Sequence, residues 1–173
     1  IVAKNQETFF FFKNQFQEHT IIKRYVAWVY GIVKHDEGEI NAPIGRSTGD
    51  VRKWATGRGT RGTLRDAITD YKVLARYGKN KNQGSTEDGN YTYLEAYPKT
   101  GRTHQIRVHM RHLNHPIICD SLYAPNKEPA LGFKRFALHA ESITFEMPGD
   151  VKKTIHAPLP DDFIQAEELA KTL

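Results

Sequence analysis

Between Ile22 and Val33, Arg24, Val26, Trp28 and Tyr30 alternate with Tyr25, Ala27 and Val29. A period of two carried by aromatic and β-branched residues predicts a strand, and a sheet must be built around it. Further extended stretches follow. Gly38–Ile44 reads as a short strand stopped by Pro43 and Gly45, and longer strands are expected at 66–77 and 91–97. Short β segments are expected at Ile117–Cys119, Phe136–Ala140 and Ile143–Phe145. Helices are fewer. Asn5 can cap one running to Glu18, with Phe9, Phe12 and Phe16 on its buried face and Phe10 and Phe11 turned towards a missing segment or a partner. A second is expected over 103–113, and Pro160-Asp161-Asp162 opens a third. Strands outnumber helices with no regular βαβ alternation, so the expected class is α+β, a mixed, mainly antiparallel sheet flanked by helices, in a single domain over residues 1–173.

Composition narrows the setting. The 173 residues are 39% hydrophobic and 26% charged, which fits a globular chain with a core of its own. A net charge of +5 and a pI near 9.3 favour a polyanionic partner. Cys119 is the sole cysteine, so no internal disulfide can form, as befits a reducing compartment. No apolar run is long enough to span a bilayer, and Lys4, Asn5, Gln6 and Glu7 interrupt the first apolar residues where a secretory signal would need them. A cytoplasmic location is expected. Ile1-Val2-Ala3 looks like the end of a strand without an initiator methionine, which suggests a piece of a longer protein.

Two segments carry the chemistry. Residues 46–65 hold Arg46, Arg52, Lys53, Arg58, Arg61 and Arg65 against Asp50 alone, a local charge of +5, and Gly49, Gly57, Gly59 and Gly62 read as a mobile loop. Such a loop can order on an RNA backbone through phosphate contacts, or can simply be solvated. In Pro98-Lys99-Thr100-Gly101-Arg102-Thr103-His104-Gln105-Ile106-Arg107-Val108-His109-Met110 a glycine turn leads into a helix that Thr103 can cap. Ile106, Met110 and Leu113 form its buried stripe. Arg107 lies off that stripe, a guanidinium held for one carboxylate or phosphate.

This second string resembles the signature of the RluA-type RNA pseudouridine synthases. Three other segments match that family in order along the chain. They are Lys23-Arg24-Tyr25-Val26-Ala27-Trp28-Val29-Tyr30-Gly31, then Pro43-Ile44-Gly45-Arg46 with Ala67-Ile68-Thr69-Asp70-Tyr71-Lys72-Val73-Leu74, and Leu138-His139-Ala140 with Phe145 and Pro148. The resemblance implies a largely antiparallel sheet flanked by helices, a cleft for a flipped uridine, and isomerisation of uridine to pseudouridine without a cofactor. It implies that Tyr25 stacks on the base and is the candidate proton acceptor, that Arg107 pairs with a nucleophilic aspartate, and that Leu138 lines the pocket. With Arg102, the residues Arg46, Arg52, Lys53, Arg58 and Arg61 are the expected RNA contacts. Large-subunit ribosomal RNA is the substrate it points to, with transfer RNA as the other choice.

One departure stands out. The family's aspartate belongs to a motif lying ahead of the strand that Ile1-Val2-Ala3 would end, and no "RLD" occurs in these residues. Asp36, Asp70 and Asp120 have structural explanations instead. The chain as it stands is therefore expected to be inactive while the parent protein is an enzyme. The alternative is a non-catalytic RNA-binding module. His104, His109, His112 and His115 raise the question of zinc, but an "HExxH" is absent, and a buried His109 with exposed histidines around it is the expectation.

Overall fold

The computed structural model describes residues 1–78 and 89–173. Between the two longer expected strands, Lys79–Asn90 reads from its sequence as a polar surface insertion, and residues 79–88 of it lie outside the described residues. Helix α1 (Gln6–Gln17) is capped by Asn5, whose side chain accepts the Thr8 amide at 2.8 Å. Strands β1 (Ile22–Tyr30), β2 (Glu37–Asn41) and β3 (Ile44–Ser47) follow. After them come β4 (Trp54–Thr56), β5 (Thr60–Arg65), β6 (Ile68–Tyr77) and β7 (Tyr91–Pro98). Helix α2 (Gln105–His112), β8 (Leu138–Met147), β9 (Val151–His156) and α3 (Asp161–Lys171) complete the order.

Six strands form one antiparallel sheet in the order β2-β6-β7-β1-β8-β9. β1 lies inside it, which is why both of its alternating sets are apolar from Val26 onwards: Ala27, Trp28 and Val29 are fully buried. On one face Trp28 stacks on Tyr93 with ring centroids 4.8 Å apart and also meets Tyr77. Phe163 of α3 reaches Tyr93 and Phe133 there. The opposite face carries α2.

Several sequence expectations need correction. Ile1–Ala3 has no strand structure. Residues 46–65 are no loop: β4, β3 and β5 make a second, three-stranded antiparallel sheet, a basic arm rooted between Ala42 and Ala67. Two of its glycines take positive φ, Gly57 at the turn between β4 and β5 and Gly62 at the irregular register within β5, rather than marking disorder. On α1 the buried side chains are Phe12 and Gln15, while Phe9 and Phe16 are exposed. Phe12 packs edge-on against Phe145, and Gln15 bonds Glu146 twice, its amide donating to the Glu146 carbonyl and its oxygen accepting the Glu146 N–H. A glutamine that satisfies a strand's backbone is worth burying where a third phenylalanine is not. The two segments expected at 136–140 and 143–145 are one strand, β8, and β9 was not expected at all. Ile117 makes only an isolated bridge to Val29.

Candidate active site

A pocket opens where β1, the 98–104 turn, α2 and the start of β8 meet. It is lined by Lys23, Tyr25, Arg102, His104, Arg107 and Leu138, with the turn backbone closing it. Tyr25 is brought there by β1, whose alternation places it with Lys23 on the α2 side of the sheet. Register helps. Arg24 pairs with Ser142 but Tyr25 with Ala140, so Glu141 is an extra residue in β8, a bulge beside the pocket that locally bends the strand. Glu141 turns instead to the Arg24 guanidinium at 2.9 Å.

The turn is held by Gln105, which is buried. Its oxygen accepts the Thr100 hydroxyl at 2.8 Å and the Arg102 amide at 2.9 Å. Its amide donates to the Ile68 carbonyl at 2.9 Å and the Thr69 hydroxyl at 3.0 Å. One side chain thus ties the turn to β6. The network continues inward through His109, which is fully buried. His109 Nε2 must donate to the Ala42 carbonyl, 3.0 Å away, so its Nδ1 accepts from Thr69 at 2.9 Å. Burial lowers the His109 pKa, in keeping with that neutral ring. Arg102 donates from Nε to the Asp66 carbonyl at 2.9 Å. Both roots of the basic arm, Ala42 and Asp66, are therefore gripped by the segment that builds the pocket.

Arg107 is the most constrained cation of the site. Its Nε and Nη2 donate to the two oxygens of Asp120, each at 2.7 Å, and the Asp120 side chain has no exposed surface. The guanidinium lies between the rings of Tyr123 and Phe136, 4.8 and 4.7 Å from their centroids. Asp120 also accepts the amides of Leu122 and Tyr123. That leaves Arg107 Nη1 as the donor edge without a protein acceptor among the described residues.

The electrostatics of the pocket favour neutral forms. Burial raises the Tyr25 pKa and lowers that of Lys23, whose ammonium donates to the Thr100 carbonyl at 3.3 Å. His104 is shifted down by burial and then by Arg107. Tyr25 at neutral pH is thus a phenol, an aromatic face with a polar tip.

The structure brings Tyr25, Arg102, Arg107 and Leu138 to one pocket. It leaves Arg46, Arg52, Lys53, Arg58 and Arg61 on the arm. There Arg46 stacks on Trp54 at 4.5 Å, and Arg52 chelates Asp50, holding that carboxyl down to about 2. Thr103 does not cap α2. His104 is the cap residue, and no side chain bonds the first turn. Leu113 is only partly buried, while Val108 joins Ile44, Ala67 and Tyr123 in a small core under the arm. The histidines are used singly: His112 on Thr56, His115 on the Tyr30 carbonyl. Among the described residues no three His, Cys, Asp or Glu side chains gather as a metal set. Sequence reasoning missed His104, Tyr123, Phe136 and the Arg107–Asp120 pair. The only signal was the turn formed by Asp120 and Tyr123, which shows nothing of what the carboxylate faces.

Comparison with known proteins gives the family. The family described as RNA pseudouridylate synthase matches residues 1–112. An uncharacterized RNA pseudouridine synthase of Bacillus subtilis, YlyB, is 35% identical over 170 residues, covering 97% of this chain and 50% of that protein. The dual-specificity RNA pseudouridine synthase RluA of Pasteurella multocida is 38% identical over 138 residues, covering 79% and 56%. Ribosomal large subunit pseudouridine synthase D of Haemophilus ducreyi is 34% identical over 185 residues, covering 99% and 52%. The chain thus spans about half the length of the curated relatives it matches. Human RNA Pseudouridylate Synthase Domain Containing 1 superposes with a TM-score of 0.72 at 25% identity, covering 92% of this chain and 63% of that one. From its sequence and its fold alike, the chain belongs to the RluA-type RNA pseudouridine synthases.

Proposed function

We propose that the protein to which these residues belong converts uridine to pseudouridine in structured RNA, ribosomal RNA of the large subunit before transfer RNA, in the cytoplasm and without a cofactor. The observation that carries this is the convergence of Tyr25, Arg107 and Leu138, from three separate motifs, on one pocket. A uracil extruded from its stack enters there. Its face lies on Tyr25, Leu138 packs against it, and Arg102 with the arm cations holds the flanking phosphates. An aspartate supplied from outside these 173 residues attacks the ribose or promotes glycosidic cleavage. The uracil turns, rejoins through C5, and the C5 proton leaves, with Tyr25 as its acceptor. Arg107 Nη1 offers that aspartate a charged donor while Asp120 holds the guanidinium in place.

The test is release of tritium from [5-³H]uridine in transcripts of large-subunit ribosomal and transfer RNA, using the gene's whole product and the 173-residue chain side by side. Turnover by the whole product and none by the 173-residue chain is the expected result. Absence of turnover from both on either RNA would overturn it. A second reading, a non-catalytic RNA-binding module, gains from one observation: Arg107 already has a buried carboxylate partner inside this chain. Salt-sensitive RNA binding by a whole product without turnover would favour it.

A further inference from the structure

His104 holds a backbone conformation that costs energy. Its φ of 58° and ψ of 17° are left-handed, a region that crowds the Cβ of any residue but glycine. Nothing local repays this, since its side chain makes no capping bond to α2. The strained turn instead sets the imidazole at the pocket wall, with Nδ1 2.9 Å from the Tyr123 hydroxyl. That hydroxyl oxygen is already committed as acceptor of the Trp54 backbone amide at 3.0 Å, and an amide can only donate. The oxygen could take a second donor, but the phenol's one proton has no acceptor among the described residues other than His104 Nδ1. The donor chain runs from Trp54 N–H through Tyr123 O–H to His104 Nδ1, and leaves the ring proton on Nε2. Burial and the neighbouring Arg107, which both lower the His104 pKa, agree with a neutral ring. Tyr123 cannot easily turn away, because its ring packs in the core beneath the arm and against Arg107.

We infer that His104 is a specificity-determining residue whose Nε2–H donates to the position-4 carbonyl oxygen of the bound uracil, and that Tyr123 is the positioning residue that fixes this tautomer. The inference rests on the uridine pocket proposed above. Uracil offers carbonyl oxygens at its positions 2 and 4. Cytosine replaces the second by an amino group, so a donor-only nitrogen that accepts the one base meets the other donor to donor. A buried polar contact of this kind discriminates by about 10- to 100-fold.

Two measurements on the gene's whole product test it. Nitrogen-15 spectra of the histidine rings, taken without RNA at pH 7, should show His104 protonated on Nε2 alone, and Tyr123→Phe should convert it to a mixture of tautomers. A wild-type ring carrying the proton on Nδ1, or on both nitrogens, overturns the inference whatever the enzyme does. Titration with uridine 5′-monophosphate and cytidine 5′-monophosphate, followed at the His104 Nε2–H, should show a preference for the uridine nucleotide. His104→Ala, followed at the Arg107 Nε–H resonance instead, and Tyr123→Phe should each lose about 10- to 100-fold of that preference, read as the ratio of the two affinities so that any stability lost with the Trp54 amide's acceptor in Tyr123→Phe cancels. Equal response to the two nucleotides in the wild type, or an intact preference in both variants, overturns it. Absence of tritium release would sink the proposed isomerisation and leave the tautomer and the nucleotide preference standing on their own.

Discussion

Arg107 and Asp120 meet edge to edge, Nε on Oδ2 and Nη2 on Oδ1, each at 2.7 Å, with the carboxylate wholly buried and the guanidinium clasped between two aromatic rings. They are a paired charge whose halves cannot be separated cheaply. Asp120→Asn is therefore expected to destabilise the fold by about 3–5 kcal/mol, since it strands a largely buried guanidinium, whereas Arg107→Met with Asp120→Asn should recover much of that loss, the asparagine still accepting the Leu122 and Tyr123 amides. Urea denaturation of the two single variants and the double variant measures this. A single variant as stable as the wild type would mean the pair is idle.

Gln105 is the next test of how the pocket is built. Replacing it with Leu leaves the Arg102 amide and the Thr100 hydroxyl proton without their acceptor and loosens the turn's hold on β6. Each orphaned group costs about 1–3 kcal/mol. Faster hydrogen exchange at the Arg102 amide, with the exchange of β7 and β1 unchanged, is the expected signature. Uniform loosening of the whole sheet would instead show Gln105 to be part of the general core.

His109 sets a pH dependence. Its pKa lies below the ordinary 6.5 in the fold, as do those of His115 and His104, with burial the leading cause for all three. The unfolded chain then binds more protons than the folded one, so this stability is fully present above pH 6.5 and is lost as the pH falls through the folded values. Melting temperature should drop between pH 7 and pH 5, and His109→Asn should make that drop shallower. An equal slope in the variant would show that His109 keeps its ordinary pKa.

Much of this was readable in advance, and the failures share a cause. Period-two alternation at Ile22–Val33 marked β1 because a strand buried on both faces leaves no other reading. The family resemblance implied that Tyr25 and Arg107 share one cleft although 82 positions separate them in the numbering. What could not be read depends on distant partners. Arg46 to Arg65 looked like a loop because glycines and cations dominate locally, yet the arm folds against Val108 and Tyr123, more than forty positions away. Nothing in the sequence marks Gln15 and Gln105 for burial, and each is buried because backbone groups from another strand take its amide. Pairing partners of polar side chains have no period, so no pattern announces them.

The arm makes an electrostatic prediction. Arg52, Lys53, Arg58 and Arg61 stand on it at or near the surface, and neutralising all four should flatten the dependence of log RNA affinity on log salt by about 3–4, at roughly 0.7–0.9 for each phosphate that the protein no longer neutralises. Arg46 is left in place because it packs on Trp54. Binding measured from low to moderate salt with a structured ribosomal RNA transcript decides it, and an unchanged slope would place the arm away from the phosphates.

Tyr25 can be divided into ring and hydroxyl. The ring stacks on a base whether or not it carries oxygen, so Tyr25→Phe should hold RNA affinity within about twofold, while Tyr25→Leu should lose about 1–3 kcal/mol of binding. The hydroxyl matters for the proton on C5. Burial raises its pKa above 10, so at neutral pH only a small fraction of Tyr25 is the phenolate that can take that proton. The sign follows directly: if the phenolate is the acceptor, turnover rises with pH from 7 towards 9.5, because the pKa lies above that whole range. Tyr25→Phe should remove this rise and lower turnover by about 10²–10⁴, with an enlarged isotope effect from deuterium at C5. A wild-type profile flat across that range, or a Phe variant with full turnover, would reduce Tyr25 to its stacking face and require another acceptor for the C5 proton, for which Lys23, its ammonium pKa lowered by burial in the same pocket, is the nearest candidate.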